Sequence, residues 1–256
     1  MSRSQAVVRV CWLGRVPYRD GWDLQRALVE GVKADREPDT LLLLEHPAVF
    51  TVGRRGDGST LLWNADECAR RGVEVVWSDR GGDATYHGPG QLVGYPILNL
   101  PRLGSDILRH IRGLERSLIA YLASLGLASE PGGKGLTGVW SRGATLPSPA
   151  KVAAIGVKLN QRVVSHGFAL NLTSDLDTFN SGIVPCGLSG KRATSLLELG
   201  GPRLAVQEAA HGYAPFFAAE FGVALSWSVP DAPPEPFAGA GRRRADVTFR
   251  TAGGAD

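Results

Sequence analysis

Two side chains in this sequence have types and settings that could do chemistry: the thiol of Cys186, a candidate nucleophile, and the amine of Lys151, a candidate proton carrier. Cys186 stands in Ile183-Val184-Pro185-Cys186-Gly187. Proline fixes φ at about −65° and glycine takes angles closed to other residues, so the thiol is presented on a rigid turn. A free thiol of pKa about 8.5 is only a few per cent thiolate at neutral pH, whereas a neighbouring cation lowers it to about 3.5–7.5. The thiolate is the nucleophile. Lys151 opens Lys151-Val152-Ala153-Ala154-Ile155-Gly156-Val157-Lys158, and the small residues after it let a substrate chain lie along a strand. A lysine supplies charge and, when partly desolvated, accepts and returns protons. Such a pair suits acyl transfer from a thioester. The bland alternatives are an incidental turn cysteine and a solvated strand-edge lysine, and Lys158 competes with Lys151 by composition.

A second segment bears on binding. Residues 80–91 read Arg80-Gly81-Gly82-Asp83-Ala84-Thr85-Tyr86-His87-Gly88-Pro89-Gly90-Gln91. Glycines leave backbone N–H groups open to a carbonyl or carboxylate. Arg80 and His87 bracket the run with donors, and no Gly-Lys-Ser/Thr ends it, so it is not a Walker loop. It reads equally as a binding loop or as a long hairpin turn. His166-Gly167-Phe168-Ala169-Leu170-Asn171 repeats the small-and-apolar character of the lysine strand.

The elements that must position these residues follow from periodicity. Strands are predicted at 6–12, 41–44, 48–52, 73–77, 92–100, 152–159 and 163–172. Helices are predicted at 20–33, 64–71, 105–125, 175–180 and 204–221, with Ser105 as an N-cap and Gly126 as a stop. Pro215 is expected to kink or break the last helix. Residues 80–91 and 129–150 read as loops. His46 is expected to fix the turn at Pro47, and His110 to lie on an exposed helix face. Loops between several strands are too short for crossovers, which points to an α/β fold built on a mixed sheet with packed helices.

Bulk properties narrow the function. The chain has 256 residues, 43% hydrophobic and 21% charged, with a net charge of +3. It is read as one domain over 1–230 and a disordered, Pro/Ala/Gly/Arg-rich tail over 231–256. The small net charge does not suit a dedicated nucleic-acid binder. Cys11, Cys68 and Cys186 form no CxxC spacing, which argues against a disulfide framework or a zinc cage. No apolar run is long enough to span a membrane, and the N-terminus lacks signal-peptide regions, so a cytoplasmic protein is expected.

Taken together, RGGDATYHGPGQLVGYPILNL at 80–100, KVAAIG at 151–156, HGFALN at 166–171 and PCG at 185–187 resemble the lipoyl(octanoyl) transferases. Weaker echoes are Asp23-Leu24-Gln25, Glu45-His46-Pro47 with Thr51-Val52-Gly53, and Thr137-Gly138-Val139-Trp140. The resemblance implies the α/β fold shared by biotin and lipoate protein ligases. It implies Cys186 as the nucleophile that carries the octanoyl group as a thioester, with Lys151 as its partner. The substrate pocket it implies is lined by Arg80, Gly81, Gly82, Asp83, Ala84, Thr85, Tyr86, His87, Ala154, Ile155, Gly156, Gly167, Phe168 and Ala169. His87 would orient the carbonyl or stabilise the loop. The expected donor is octanoyl-phosphopantetheine on acyl carrier protein, and no ATP or metal is expected. Acceptors would be lipoyl domains of 2-oxoacid dehydrogenase E2 subunits and the glycine cleavage H protein, with the enzyme a monomer that binds neither nucleic acid nor membrane. Both carriers are expected to be acidic, which Arg54-Arg55 would accommodate. Two departures from the family pattern are Ala150, where arginine is common before the lysine, and a longer, proline-rich stretch at 141–150.

Overall fold

The computed structural model describes residues 5–133, 135–143, 146, 148–184 and 191–228. Cys186, Lys134 and the tail 231–256 lie outside the described residues. The strands are β1 (Val7–Arg15), β2 (Thr40–Glu45), β3 (Val49–Val52), β4 (Glu74–Trp77), β5 (Ala84–His87), β6 (Gln91–Asn99), β7 (Glu130–Pro131), β8 (Val139–Ser141), β9 (Ala150–Asn160), β10 (Val163–Asn171) and β11 (Ala224–Ser228). The helices are α1 (Tyr18–Lys33), α2 (Ala65–Arg70), α3 (Ile107–Ser124), α4 (Leu176–Gly182) and α5 (Val206–Phe221).

Eight strands form one mixed sheet in the order β11-β1-β2-β6-β10-β9-β8-β7, and β4-β3-β5 form a second, three-stranded sheet. β1 pairs in parallel with β2 and β11, whereas β2–β6, β6–β10, β10–β9 and β9–β8 are antiparallel. The leucine run of β2 is explained by burial on both faces. Leu41 and Leu43 join a core with Leu114 and Leu118 of α3 and Tyr213 and Phe217 of α5. Leu42 and Leu44 face the other way, onto Leu24, Leu28 and Val32 of α1. The period-two alternation of side chains thus feeds two helical layers from one strand.

The structure departs from the sequence reading in several places. Residues 80–91 are not all loop: Ala84–His87 forms β5, paired with β3. Within 129–150, β7 and β8 extend the sheet edge. β11 was not foreseen. The N-cap of α3 is Asp106, whose carboxylate accepts from the Arg109 N–H, and not Ser105. Pro215 lies inside a continuous α5. His110 is fully buried, with its ring 5.4 Å from that of Phe221, and not exposed. The helix turns His110, Leu114, Ser117 and Tyr121 inward, while Leu108 is 72% exposed.

Candidate active site

A cavity of about 430 Å³ lies where β9 and β10 meet the glycine-rich segment before β5. That size falls in the ordinary range for small-molecule sites. Its floor is small: Ala154 and Gly156 of β9 pair with Ala169 and Gly167 of β10. The glycine segment is pressed onto this floor, with the Gly81 N–H donating to Val157 O at 3.1 Å. A Cβ on Gly81 would stand 2.8 Å from Val157 O, and one on Gly156 would stand 2.6 Å from Gly81 O, so only glycine permits this approach at either position.

Lys151 is 5% exposed and lines the cavity. Its Nζ donates to Thr137 O at 3.0 Å and lies 4.9 Å from the centroid of the Trp140 ring. Its backbone is pinned on both sides, by the Lys151 N–H to Arg192 O and by the Thr194 N–H to Lys151 O, each 2.9 Å. Lys158, on the same strand, is turned to another side, where its Nζ meets the Asp79 carboxylate at 2.5 Å.

Of the pocket residues named from the sequence, Arg80, Gly81, Gly82, Asp83, Ala84, Thr85, His87, Ala154, Ile155, Gly156, Gly167, Phe168 and Ala169 all line this cavity. Tyr86 does not. The alternation of β5 sends its ring into a core with Phe50 and Phe179, at centroid distances of 5.7 and 5.6 Å. Not every glycine N–H in the run is open to a ligand: besides Gly81, the Gly90 N–H donates to Glu45 Oε1 at 2.6 Å.

Arg80 is spent within the wall. Its guanidinium donates to Thr51 O and Oγ1 and to Gly81 O. His87 Nδ1 lies 2.8 Å from Gln91 Oε1, and the Gln91 amide nitrogen donates to Tyr86 O and Asn171 Oδ1. The amide oxygen therefore accepts, Nδ1 carries the proton, and Nε2 is bare. Burial pushes the His87 pKa well down, with His46 and Arg80 nearby adding to the shift. His87 Nδ1 thus serves the loop through Gln91.

Sequence reasoning missed Tyr18 and Tyr95, which line the cavity with His166. The Tyr95 hydroxyl donates to His46 Nε2 at 2.8 Å, while His46 Nδ1 donates to Val16 O at 2.6 Å. Burial lowers the His46 pKa to about 4, consistent with a fixed, neutral ring at this turn. Asp79 was also missed. Its carboxylate accepts from His166 Nε2 at 2.8 Å, from Trp22 Nε1 at 3.1 Å and from Lys158 Nζ. The His166 hydrogen bond, with Lys158 adding to it, holds the Asp79 pKa well below the usual carboxylate range. Its position directly before Arg80 is the only signal in the sequence.

Among the described residues no group of histidine, cysteine or acidic side chains is arranged to hold a metal ion. Nor is any described helix long and apolar enough to cross a membrane.

The site is thus a small-residue trough on a mixed sheet with a buried lysine at its side. Residues 17–217 match the lipoyl protein ligase A/B catalytic domain. The bipartite lipoate protein ligase of Thermoplasma acidophilum shares the fold at a TM-score of 0.65 and 16% identity, over 88% of each chain. An octanoyltransferase of Chloroflexus aurantiacus is 49% identical over 193 residues, 75% of this chain and 84% of its own. One of Acidobacterium capsulatum is 43% identical over 232 residues, 86% and 93% of the two chains. The chain belongs to the octanoyltransferases, a branch of the lipoyl protein ligase A/B catalytic family. It is an acyltransferase of protein lipoylation.

Proposed function

We propose that this enzyme takes the octanoyl group from octanoyl-acyl carrier protein onto Cys186 and passes it to a lysine of a lipoyl domain, with Lys151 moving the protons. The observation that carries this reading is the setting of Lys151: a buried amine beside a small-residue trough, donating a hydrogen bond to the Thr137 carbonyl. The described residues on either side of 185–190 support a role for Cys186 there. On one side the Val184 N–H donates to Thr60 O at 2.8 Å, and Thr60 Oγ1 donates to the cavity residue Asp83. On the other, Lys191 Nζ lies 5.9 Å from the same Trp140 ring that Lys151 touches.

The steps balance without a cofactor. Lys151 takes the Cys186 proton, and the thiolate attacks the thioester carbonyl. The bond from that carbon to the phosphopantetheine sulfur breaks, and Lys151 returns the proton to the departing thiol. The amine of the acceptor lysine then attacks the acyl-enzyme. As the amide forms, its proton passes through Lys151 to the Cys186 thiolate. Exchange between thioesters is nearly isoenergetic and thioester to amide is downhill, so neither ATP nor a metal is required. A backbone N–H donor to the tetrahedral oxyanion would contribute about 3–4 kcal/mol to transition-state stabilisation. The acyl chain would lie over Ala154, Gly156, Gly167 and Ala169, and the exposed Arg55 at the cavity would face the acidic carriers.

The test is transfer itself. The enzyme is mixed with octanoyl-acyl carrier protein and an isolated lipoyl domain, without ATP, and the domain is weighed by mass spectrometry. A gain of one octanoyl group on the domain lysine is expected. Transfer only when ATP and free octanoate are supplied would refute the proposal.

A further inference from the structure

Lys151 Nζ is hydrogen-bonded to Thr137 O, and Thr137 precedes a glycine that a buried carboxylate of α3 grips. The Gly138 N–H donates to Glu115 Oε1 at 3.0 Å. Glu115 is 1% exposed and sits on α3 beside Leu114 and Leu118 of the apolar core. Burying a carboxylate there is costly unless it is well bonded. Its other oxygen takes a hydrogen bond from Arg112, whose side chain is 57% exposed. Gly138 itself has no freedom to accommodate. Its φ is +120°, and a Cβ there would stand 2.5 Å from Ala153 O and 3.5 Å from Lys151 Cε. The Gly138 carbonyl is bound as well, by the Gly132 N–H at 3.0 Å. The turn that offers Thr137 O to the lysine is thus fixed at the next residue by α3.

We propose that Glu115 is a positioning residue for Lys151, acting through the Gly138 N–H and the Thr137 carbonyl. The inference rests on the reading of Lys151 as the proton-carrying amine. A carbonyl oxygen only accepts, so it takes an N–H of Lys151 whether the amine is neutral or charged. In the neutral amine this turns the lone pair away from Thr137 O. Were the turn to drift, that direction would drift with it, and proton transfer is sensitive to such geometry. What Glu115 supplies in this scheme is an acceptor at a fixed reach. Its negative charge is secondary.

That distinction sets the experiment. Glu115→Gln keeps the length and an acceptor oxygen but loses the charge, whereas Glu115→Asp keeps the charge but withdraws the acceptor by one methylene. Octanoyl transfer from carrier protein to lipoyl domain is measured for both, with competent sites counted from the burst of acyl-enzyme, so that kcat refers to folded enzyme. Glu115→Gln is expected to retain kcat within about threefold and Glu115→Asp to lose about tenfold or more, with KM for the donor unchanged in both. A purely structural role would lower the number of competent sites and leave the rate per site alone. Should Glu115→Asp not fold, Glu115→Met, of similar length and without an acceptor, takes its place with the same expectation. If the Asp variant is as fast per site as the Gln variant, or faster, the positioning role is overturned. Lys151→Ala is run alongside. Full turnover by that variant would overturn the reading of Lys151 and this inference together, whereas its inactivity beside a fast Asp variant would overturn the inference alone.

Discussion

Lys151 and Lys158 stand on one strand, seven residues apart, and have opposite electrostatic lives. Lys158 meets the Asp79 carboxylate at 2.5 Å in a partly exposed setting. Lys151 is buried in an apolar trough with a neutral carbonyl and an indole face for company. The two are nearly alike in sequence context, and their described tertiary partners differ: a carboxylate for Lys158, a carbonyl and an indole ring for Lys151.

The largest effect should come from the buried lysine. Lys151→Ala is expected to lower octanoyl transfer by about 10³-fold or more, the scale of losing a general acid–base group, with the fold retained by circular dichroism. Lys158→Ala in the same assay should stay within about threefold, because a partly exposed ion pair contributes little. A reversal of these two results would invert the comparison.

Removing the anion tests the anchoring side. Asp79→Ala leaves the nearly buried His166 ring nitrogen and the Trp22 indole without their acceptor, and should cost about 3 kcal/mol in urea unfolding. Transfer should fall as well, because Asp79 directly precedes the Arg80–Gly82 wall of the cavity.

A smaller effect concerns the buried neutral histidines. His46 and His110 have folded pKa values lowered to about 4 by burial. Between the unfolded value and that figure the unfolded chain binds protons that the native state refuses. Stability is therefore intact above the unfolded pKa and is lost as pH falls below it, by about 1.4 kcal/mol per pH unit for each ring. Both ring nitrogens of His110 lack a hydrogen-bond partner among the described residues. His110→Leu should then raise stability at pH 5 relative to the parent by about 2 kcal/mol more than it does at pH 8, measured by denaturant titration at both values. An equal effect at the two pH values would mean that this ring is protonated in the folded protein.

The readable and unreadable parts of the molecule differ for physical reasons. The leucine run of β2, the amphipathic spacing of α1 and the small-residue strands β9 and β10 announce themselves because burial imposes period two or 3.6 on local sequence. The glycines at 80–91 were read as leaving backbone N–H groups open to a ligand, whereas the Gly81 N–H is taken by Val157 O of β9, a partner no local pattern encodes. His110 was expected on an exposed face because histidine is polar, whereas α3 turns it into the core beside Phe221. Tyr86 was placed in the pocket because the resemblance carried over the whole 80–87 run, whereas β5 alternates and sends the Tyr86 ring to the other face. Asp79 and Glu115 lie in none of the motifs, and Tyr95, inside the 80–100 motif, carries no local sign of its place in the cavity. Their positions depend on partners 23 to 87 residues away, which no local pattern encodes.

The central claim is a covalent octanoyl intermediate on Cys186, and intact-mass spectrometry tests it most directly. The purified enzyme is incubated briefly with octanoyl-acyl carrier protein, without ATP or acceptor, then weighed and digested. The expected result is one octanoyl adduct, labile to hydroxylamine and mapped to Cys186, absent from Cys186→Ser and slowed in Lys151→Ala. An unmodified Cys186 in folded enzyme that still transfers octanoyl to a lipoyl domain would contradict it.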